Sequence, residues 1–336
     1  MRKLKIAFAV FLVSIIGISI LGFVYQSVQE GNDLAAYPAP GKIYDVDGLA
    51  LHLDCRGQGS PTILLEAGLT SGSFSWALVH DAIASKTRVC AYDRPGMDWS
   101  EPINRMADAK EVSERLYKLI ELAGIDGPKI LLGMSAGGVY VREYYKNHPE
   151  GIVGMVLVDS SHEQQQDRLP EFDGGKMYKL MIGACRVLQP IGVIRLFGLL
   201  DQFVDGYDLD ESARDGLLAN INKSHSCSSM YWELESFSGE TSDESPPASL
   251  GDLPLIVLSQ GEEPKAIPKF GFTREDAIAQ RKVWNVLQQE LTSLSSYGQR
   301  FMAEKSGHVI QFNQPELVID KVSELVIRLR NAPGGN

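Results

Sequence analysis

The sequence is poor in the residues that metal and nucleic-acid proteins need. Its 336 residues include four cysteines, and Cys55, Cys90, Cys185 and Cys227 are widely spaced and form no CxxC pair. No zinc site is therefore expected. There is no P-loop, no GxGxxG, no HExxH and no internal repeat, so the usual sequence signals for nucleotides, catalytic zinc and solenoids are missing. Positive charge is also scarce, with 32 Lys and Arg against 43 Asp and Glu and a formal net charge of -11. That balance argues against a nucleic-acid partner, since phosphate binding relies on clustered Lys and Arg. What is present is a globular composition, 44% hydrophobic and 22% charged, long enough for one α/β domain with an insertion.

One long hydrophobic run stands out. After Met1-Arg2-Lys3-Leu4-Lys5, the stretch Ile6–Tyr25 is uncharged and mostly apolar over twenty residues. As a helix it would be roughly 30 Å long, the thickness of a bilayer core. Signal peptides have shorter apolar regions and a small-residue cleavage site. Gly22-Phe23-Val24-Tyr25-Gln26-Ser27 offers no A-x-A pattern. Residues 1–25 therefore read as a retained membrane anchor, with secretion after signal-peptide cleavage as the alternative. Arg2, Lys3 and Lys5 should stay cytoplasmic, which places the rest of the chain on the other side. Residues 26–41 read as a linker ending in Tyr37-Pro38-Ala39-Pro40-Gly41.

From Lys42 onward, strands and helices alternate. Asp47-Gly48 between two short apolar runs signals a hairpin. Pro61–Glu66, Thr87–Tyr92, Lys129–Gly133, Ile152–Val158, Leu253–Ser259 and Arg300–Glu304 read as further strands. Helical spacing marks Ala107–Ile125, Ala136 to about Asn147, the stretch through Val283 to Leu294, and Leu317–Leu329. The pattern predicts an α/β fold, a mostly parallel sheet with helices on both faces. Residues 160–252 break the rhythm, being too long for a simple crossover. Apolar stretches at Met177–Ile182 and Ile191–Leu200 suggest helices, and Gly239–Ser249 a flexible return. Because this insertion leaves a strand's C-terminal end, where ligands sit in such sheets, it reads as a helical lid.

Chemistry concentrates in two places. Gly133-Met134-Ser135-Ala136-Gly137 matches G-x-S-x-G between a buried strand and a helix, which is the context of a nucleophile elbow. A serine hydroxyl needs a base. Of six histidines, His308 alone follows a core strand and precedes the last helix, at the same sheet edge as Ser135. His52, His80, His148, His162 and His225 read as packing or surface residues. For a developing oxyanion, the expected donors are the backbone N–H groups of Ala136, after the nucleophile, and Leu69, in the loop after Glu66.

On these residues the region 42–336 resembles the α/β-hydrolase superfamily, whose triad order is Ser…His with the histidine near the C-terminus. Tyr92-Asp93-Arg94-Pro95-Gly96-Met97-Asp98-Trp99-Ser100 is similar to the family's D-x-x-G-x-G-x-S segment, and Gly307-His308 to its G-H. The resemblance implies an esterase-like hydrolase acting on a small-molecule acyl substrate, with no metal and no organic cofactor. Peptidase, amidase or cofactor-free haloperoxidase action would also fit the fold, and a non-catalytic binding protein is the reading from another class. Met134, Ala67 and Asp98 depart from the family pattern, where His, His and Gly are usual. The acid stays open. The family's common position falls on Gly261-Glu262-Glu263-Pro264, with Pro where Asp is expected, so Asp159 after Val158 is placed ahead of Glu262 and Glu263. The family's strand order also makes the strands of Cys55 and Cys90 neighbours, which allows a disulfide there. An oxidising compartment would allow a second at Cys185–Cys227.

Overall fold

The structure, a computed structural model, describes residues 1–170, 174–204, 209–240, 247–267 and 272–332. Eight strands form one sheet: β1 Lys42–Val46, β2 Leu49–Arg56, β3 Thr62–Glu66, β4 Val89–Tyr92, β5 Lys129–Met134, β6 Ile152–Val158, β7 Leu255–Gln260 and β8 Gly298–Ala303. Their order is β1-β2-β4-β3-β5-β6-β7-β8; β2 pairs antiparallel with both β1 and β4, and every other pairing is parallel. The central strands are continuous apolar runs because both faces are covered. Alternation along each strand then divides the core in two. On one face, Leu64, Leu131, Met155, Leu157 and Val257 pack with Leu116, Leu119 and Val141. On the other, Leu65, Leu132, Val156, Val158 and Leu258 pack with Ile83, Val318, Val322 and Leu325.

The helices supplying those side chains follow the sequence pattern closely. After α1 Arg2–Ala36 come α2 His80–Ala84, α3 Ala109–Leu122 and α4 Ala136–Asn147. Among the described residues, five more lie between β6 and β7: α5 Gln165–Arg168, α6 Gly174–Leu188, α7 Val193–Leu196, α8 Glu211–Ile221 and α9 Ser226–Glu240. The return read at Gly239–Ser249 falls largely outside the described residues. α10 Arg274–Thr292, α11 Ile310–Asn313 and α12 Pro315–Arg330 complete the chain. Two disulfides brace the two parts. Cys55–Cys90 joins β2 to β4, where the two residues are register partners, and Cys185–Cys227 joins α6 to α9.

The N-terminal segment differs from the expected anchor plus linker. α1 does not stop near Tyr25 but runs on to Ala36. No proline lies between Gln26 and Ala36, and the single Gly31 does not stop the helix; the first proline is Pro38, and Tyr37 before it leaves helical geometry, as residues preceding proline do. The extension is also held by contacts. Buried Gln26 donates to the Asn222 carbonyl at 2.7 Å, Glu30 accepts from the Ser224 amide at 3.0 Å, and Asp33 pairs with Arg195 at 2.6 Å. Earlier in the helix, the apolar run is exposed. Among the described residues α1 is the one helix long and apolar enough to cross a membrane.

Candidate active site

The site forms where β5 turns into α4. Ser135 is the cap residue of α4 and holds φ 52°, ψ -121°, a conformation that L-residues rarely adopt. Surrounding bonds over-determine it. The Ser135 amide donates to the Val158 carbonyl at 3.1 Å, and its own carbonyl accepts from Gly138 and Ser161. Gly137 is required by contact: a Cβ there would lie 2.3 Å from the Glu66 carbonyl oxygen. This turn projects the Ser135 hydroxyl at the N-terminus of α4, where unpaired amides and the helix dipole favour negative charge.

His308 follows β8, in a loop fastened through Ser306, whose carbonyl accepts from the amides of Gly261 and Glu262. Its Nε2 lies 2.9 Å from Ser135 Oγ, and its Nδ1 lies 2.7 Å from Asp159 Oδ2. Asp159 directly follows β6, fully buried, at φ 41°. Its other oxygen, Oδ1, accepts from Trp284 Nε1 at 2.9 Å and the Gln260 amide at 3.0 Å. The structure thus brings Ser135, His308 and Asp159 into one hydrogen-bonded chain. The alternative acids point elsewhere: Glu262 pairs with Lys265 and exposed Glu263 with Arg274. Such a chain can move a hydroxyl proton onto imidazole and stabilise the resulting cation. Beside His308 opens a cleft of about 360 Å³, lined by Leu169, Gln260, Phe272 and Trp284 among others.

Of the predicted oxyanion donors, Ala136 follows the serine directly and Leu69 belongs to a loop beside the elbow. Ala136 is the first residue of α4, so its N–H has no helical acceptor. The loop carrying Leu69 lies against the elbow, because a Cβ on Gly68 would stand 3.4 Å from Ser135 Cβ and 2.7 Å from Met134 Sδ. A larger residue at 68 would have to displace the Met134 thioether to keep that approach.

Sequence reasoning missed what holds this loop. Arg94 is buried and reaches it with its whole guanidinium: Nη1 donates to Glu66 and to the Ala67 carbonyl at 2.8 Å, Nη2 to the carbonyls of Gly68 at 2.5 Å and Ser71 at 3.2 Å. Its Nε donates to Glu233 of α9 at 2.6 Å, and Glu233 also accepts from the Thr70 amide. Burial pushes the Glu66 carboxyl up to about 7 against the pull of Arg94. The signal was a charged residue ending an apolar strand, Glu66, with a second, Arg94, just past another.

Asp98, where the family usually has glycine, is accounted for by its contacts. Its Oδ2 accepts from the Phe74 amide at 2.9 Å, beside Gly72. The residue is partly exposed but its carboxyl is enclosed; burial first, then the charge of Asp93, pushes it up to about 7. The folded protein therefore keeps a proton that the unfolded chain releases, so this group costs stability as pH rises from about 4 to about 7. Asp98→Asn keeps an acceptor for Phe74 without the charge. Its melting temperature should fall less than that of the wild type between pH 5 and pH 8, and parallel melting curves would refute the assignment.

With that geometry in view, comparison with known proteins adds the family. Residues 61–315 match the model of the alpha/beta hydrolase fold, about three quarters of the chain. The chain belongs to the α/β-hydrolase family. An uncharacterized protein of Schizosaccharomyces pombe is 25% identical over 323 residues, covering 83% of this chain; the chain spans 58% of that relative's length. An uncharacterized vacuolar membrane protein of Saccharomyces cerevisiae is 32% identical over 132 residues, 34% of this chain and 20% of the relative. Among solved structures, a putative aryl esterase from Burkholderia cenocepacia superposes with a TM-score of 0.60 at 22% identity, over 85% of this chain and 98% of the other.

Proposed function

We propose that this α/β-hydrolase is a membrane-anchored serine hydrolase that cleaves an ester or related acyl bond through an acyl-enzyme, with its catalytic domain outside the cytoplasm. The observation that carries the reading is the unbroken chain from Ser135 Oγ through His308 to buried Asp159. Ser135 Oγ attacks the substrate carbonyl while its proton passes to His308 Nε2. Asp159 holds the imidazole with Nδ1 protonated and stabilises its cation. The N–H groups of Leu69 and Ala136 receive the oxyanion. His308 then protonates the leaving alkoxide, and water repeats the sequence in reverse on the acyl group. Neither a metal nor an organic cofactor enters these steps. The insertion between β6 and β7 acts as a lid, reaching the oxyanion loop through Glu233.

A serine at the elbow points away from epoxide hydrolysis, which uses a carboxylate nucleophile there in related folds. For the anchor, the polar contacts of Gln26, Glu30 and Asp33 with the lid favour a helix retained in the mature protein over a cleaved leader. Arg2, Lys3 and Lys5 assign its N-terminus to the cytoplasmic side. A fluorophosphonate probe tests the reading directly. One label per chain is expected, in the membrane fraction, and none on Ser135→Ala. Failure of the folded wild type to take the label would favour a non-catalytic binding protein.

A further inference from the structure

Beyond the anchor itself, the lid carries apolar side chains that stand exposed among the described residues. Leu180, Met181, Val187, Leu196, Phe197 and Leu199 lie on or beside α6 and α7, and each is between 42% and 69% exposed. Surface hydrophobics scattered singly need no explanation, but six within twenty residues of one subdomain do. Among the described side chains of this stretch, the two arginines turn away from it. Arg186 lies over the rings of Tyr231 and Trp232, at 4.0 and 5.1 Å, and Arg195 is taken up by Asp33 and Gln26.

The neighbouring helix fixes the level of this surface. Between α6 and α7, the turn at Ile191-Gly192 packs directly on α1. A Cβ built on Gly22 would lie 2.2 Å from the Ile191 carbonyl oxygen, and one on Gly192 would lie 2.8 Å from the Tyr25 ring. Gly22 and Tyr25 form the last turn of the apolar run Ile6–Tyr25. A helix crossing the bilayer over that run has this turn at the boundary between hydrocarbon and headgroups. Ile191 and Gly192 share that depth, and Val187, Leu196 and Phe197 follow within one or two turns. The polar clasp from Gln26 to Asp33 lies roughly 6–16 Å farther along the axis, on the aqueous side. The apolar rim thus faces the bilayer and the polar contacts face away from it.

We infer that the α6–α7 side of the lid is a membrane-docking surface, seated in the bilayer interface beside α1. The inference rests on the anchor reading of α1. Its occupant is lipid, because the same helix that fixes the rim's level carries the membrane span. Amphipathic elements of this kind bury their apolar side about 5–10 Å into the headgroup and acyl boundary.

The four native cysteines are bonded in pairs, so one introduced cysteine can carry a polarity-sensitive dye alone. The full chain is reconstituted in phosphatidylcholine vesicles as Phe197→Cys, Leu196→Cys, Ile15→Cys or exposed Ile327→Cys. Near-ultraviolet circular dichroism checks that each variant folds. Dyes at 197 and 196 should shift to the blue and lose most of their emission to lipids spin-labelled near the headgroup. The dye at 15 should respond to deep spin labels, and the dye at 327 to neither. Lipid signals at 15 with water-like signals at 196 and 197 would overturn the docking surface and leave the anchor standing. A water-like signal at 15 would remove the anchor, and this inference with it. A blue shift at 197 that ignores spin-labelled lipid and grows with protein density would assign the rim to a second copy of the chain, overturning the inference.

Discussion

Ser135→Ala should lose at least about a thousandfold of the wild-type turnover of an activated ester, as loss of a triad member does. On the free-energy scale that is at least about 4 kcal/mol of barrier. The argument is one of shared work. In the proposed mechanism Ser135 Oγ makes the new bond and His308 Nε2, 2.9 Å away, removes its proton, so neither acts without the other. His308→Ala should therefore cost nearly as much, and the double variant should be little worse than either single one. What survives should come from the oxyanion donors and binding alone. The fold should survive too, because His308 is partly exposed and Ser135 stabilises its neighbours through its backbone rather than its side chain. Burst kinetics with a chromogenic ester measure the effect. Turnover by Ser135→Ala within tenfold of the wild type would refute the acyl-enzyme mechanism.

How much of this was legible in the sequence depends on how local each signal is. The strands β5 and β6 announce themselves because a parallel strand covered on both faces is apolar throughout, as Ile130-Leu131-Leu132 and Met155-Val156-Leu157-Val158 are. The elbow is equally local, since five residues carry both the sharp turn and the helix start. His308 needed only its place after a strand at the right sheet edge. The acid was harder, because chain order offered two positions, and only the fold shows which side chains turn toward His308. The Glu66–Arg94–Glu233 network left only a faint trace, two charges beside apolar strands. Its partners are 28 and 139 residues apart, and buried charges become informative only when they are seen to pair. The same holds for α1 beyond Tyr25: its polar residues look like a linker until the lid residues that receive them are in place.

Asp159→Asn should keep the fold and lose about 10⁴ in kcat, because it would leave the imidazole in the wrong tautomer. The two donors on Asp159 Oδ1, Trp284 Nε1 and the Gln260 amide, decide how an asparagine would sit. Both donate, so the amide oxygen must face them, and the amide NH₂ is then forced toward His308 Nδ1. Nδ1 can accept that bond only when unprotonated, which leaves the proton on Nε2. An imidazole protonated at Nε2 cannot take the Ser135 proton. The reversed amide would restore the imidazole but would set the NH₂ against two buried donors, at a cost of about 1–3 kcal/mol for each unmet group. Melting temperature should move little, since the substitution is isosteric and removes one buried charge. Glu262→Gln and Glu263→Gln should stay near wild-type activity, as their carboxylates pair with Lys265 and Arg274 near the surface. Measuring kcat and melting temperature for the three variants together separates lost chemistry from misfolding. A collapse of activity in Glu262→Gln with near-normal Asp159→Asn would move the acid to the loop after β7.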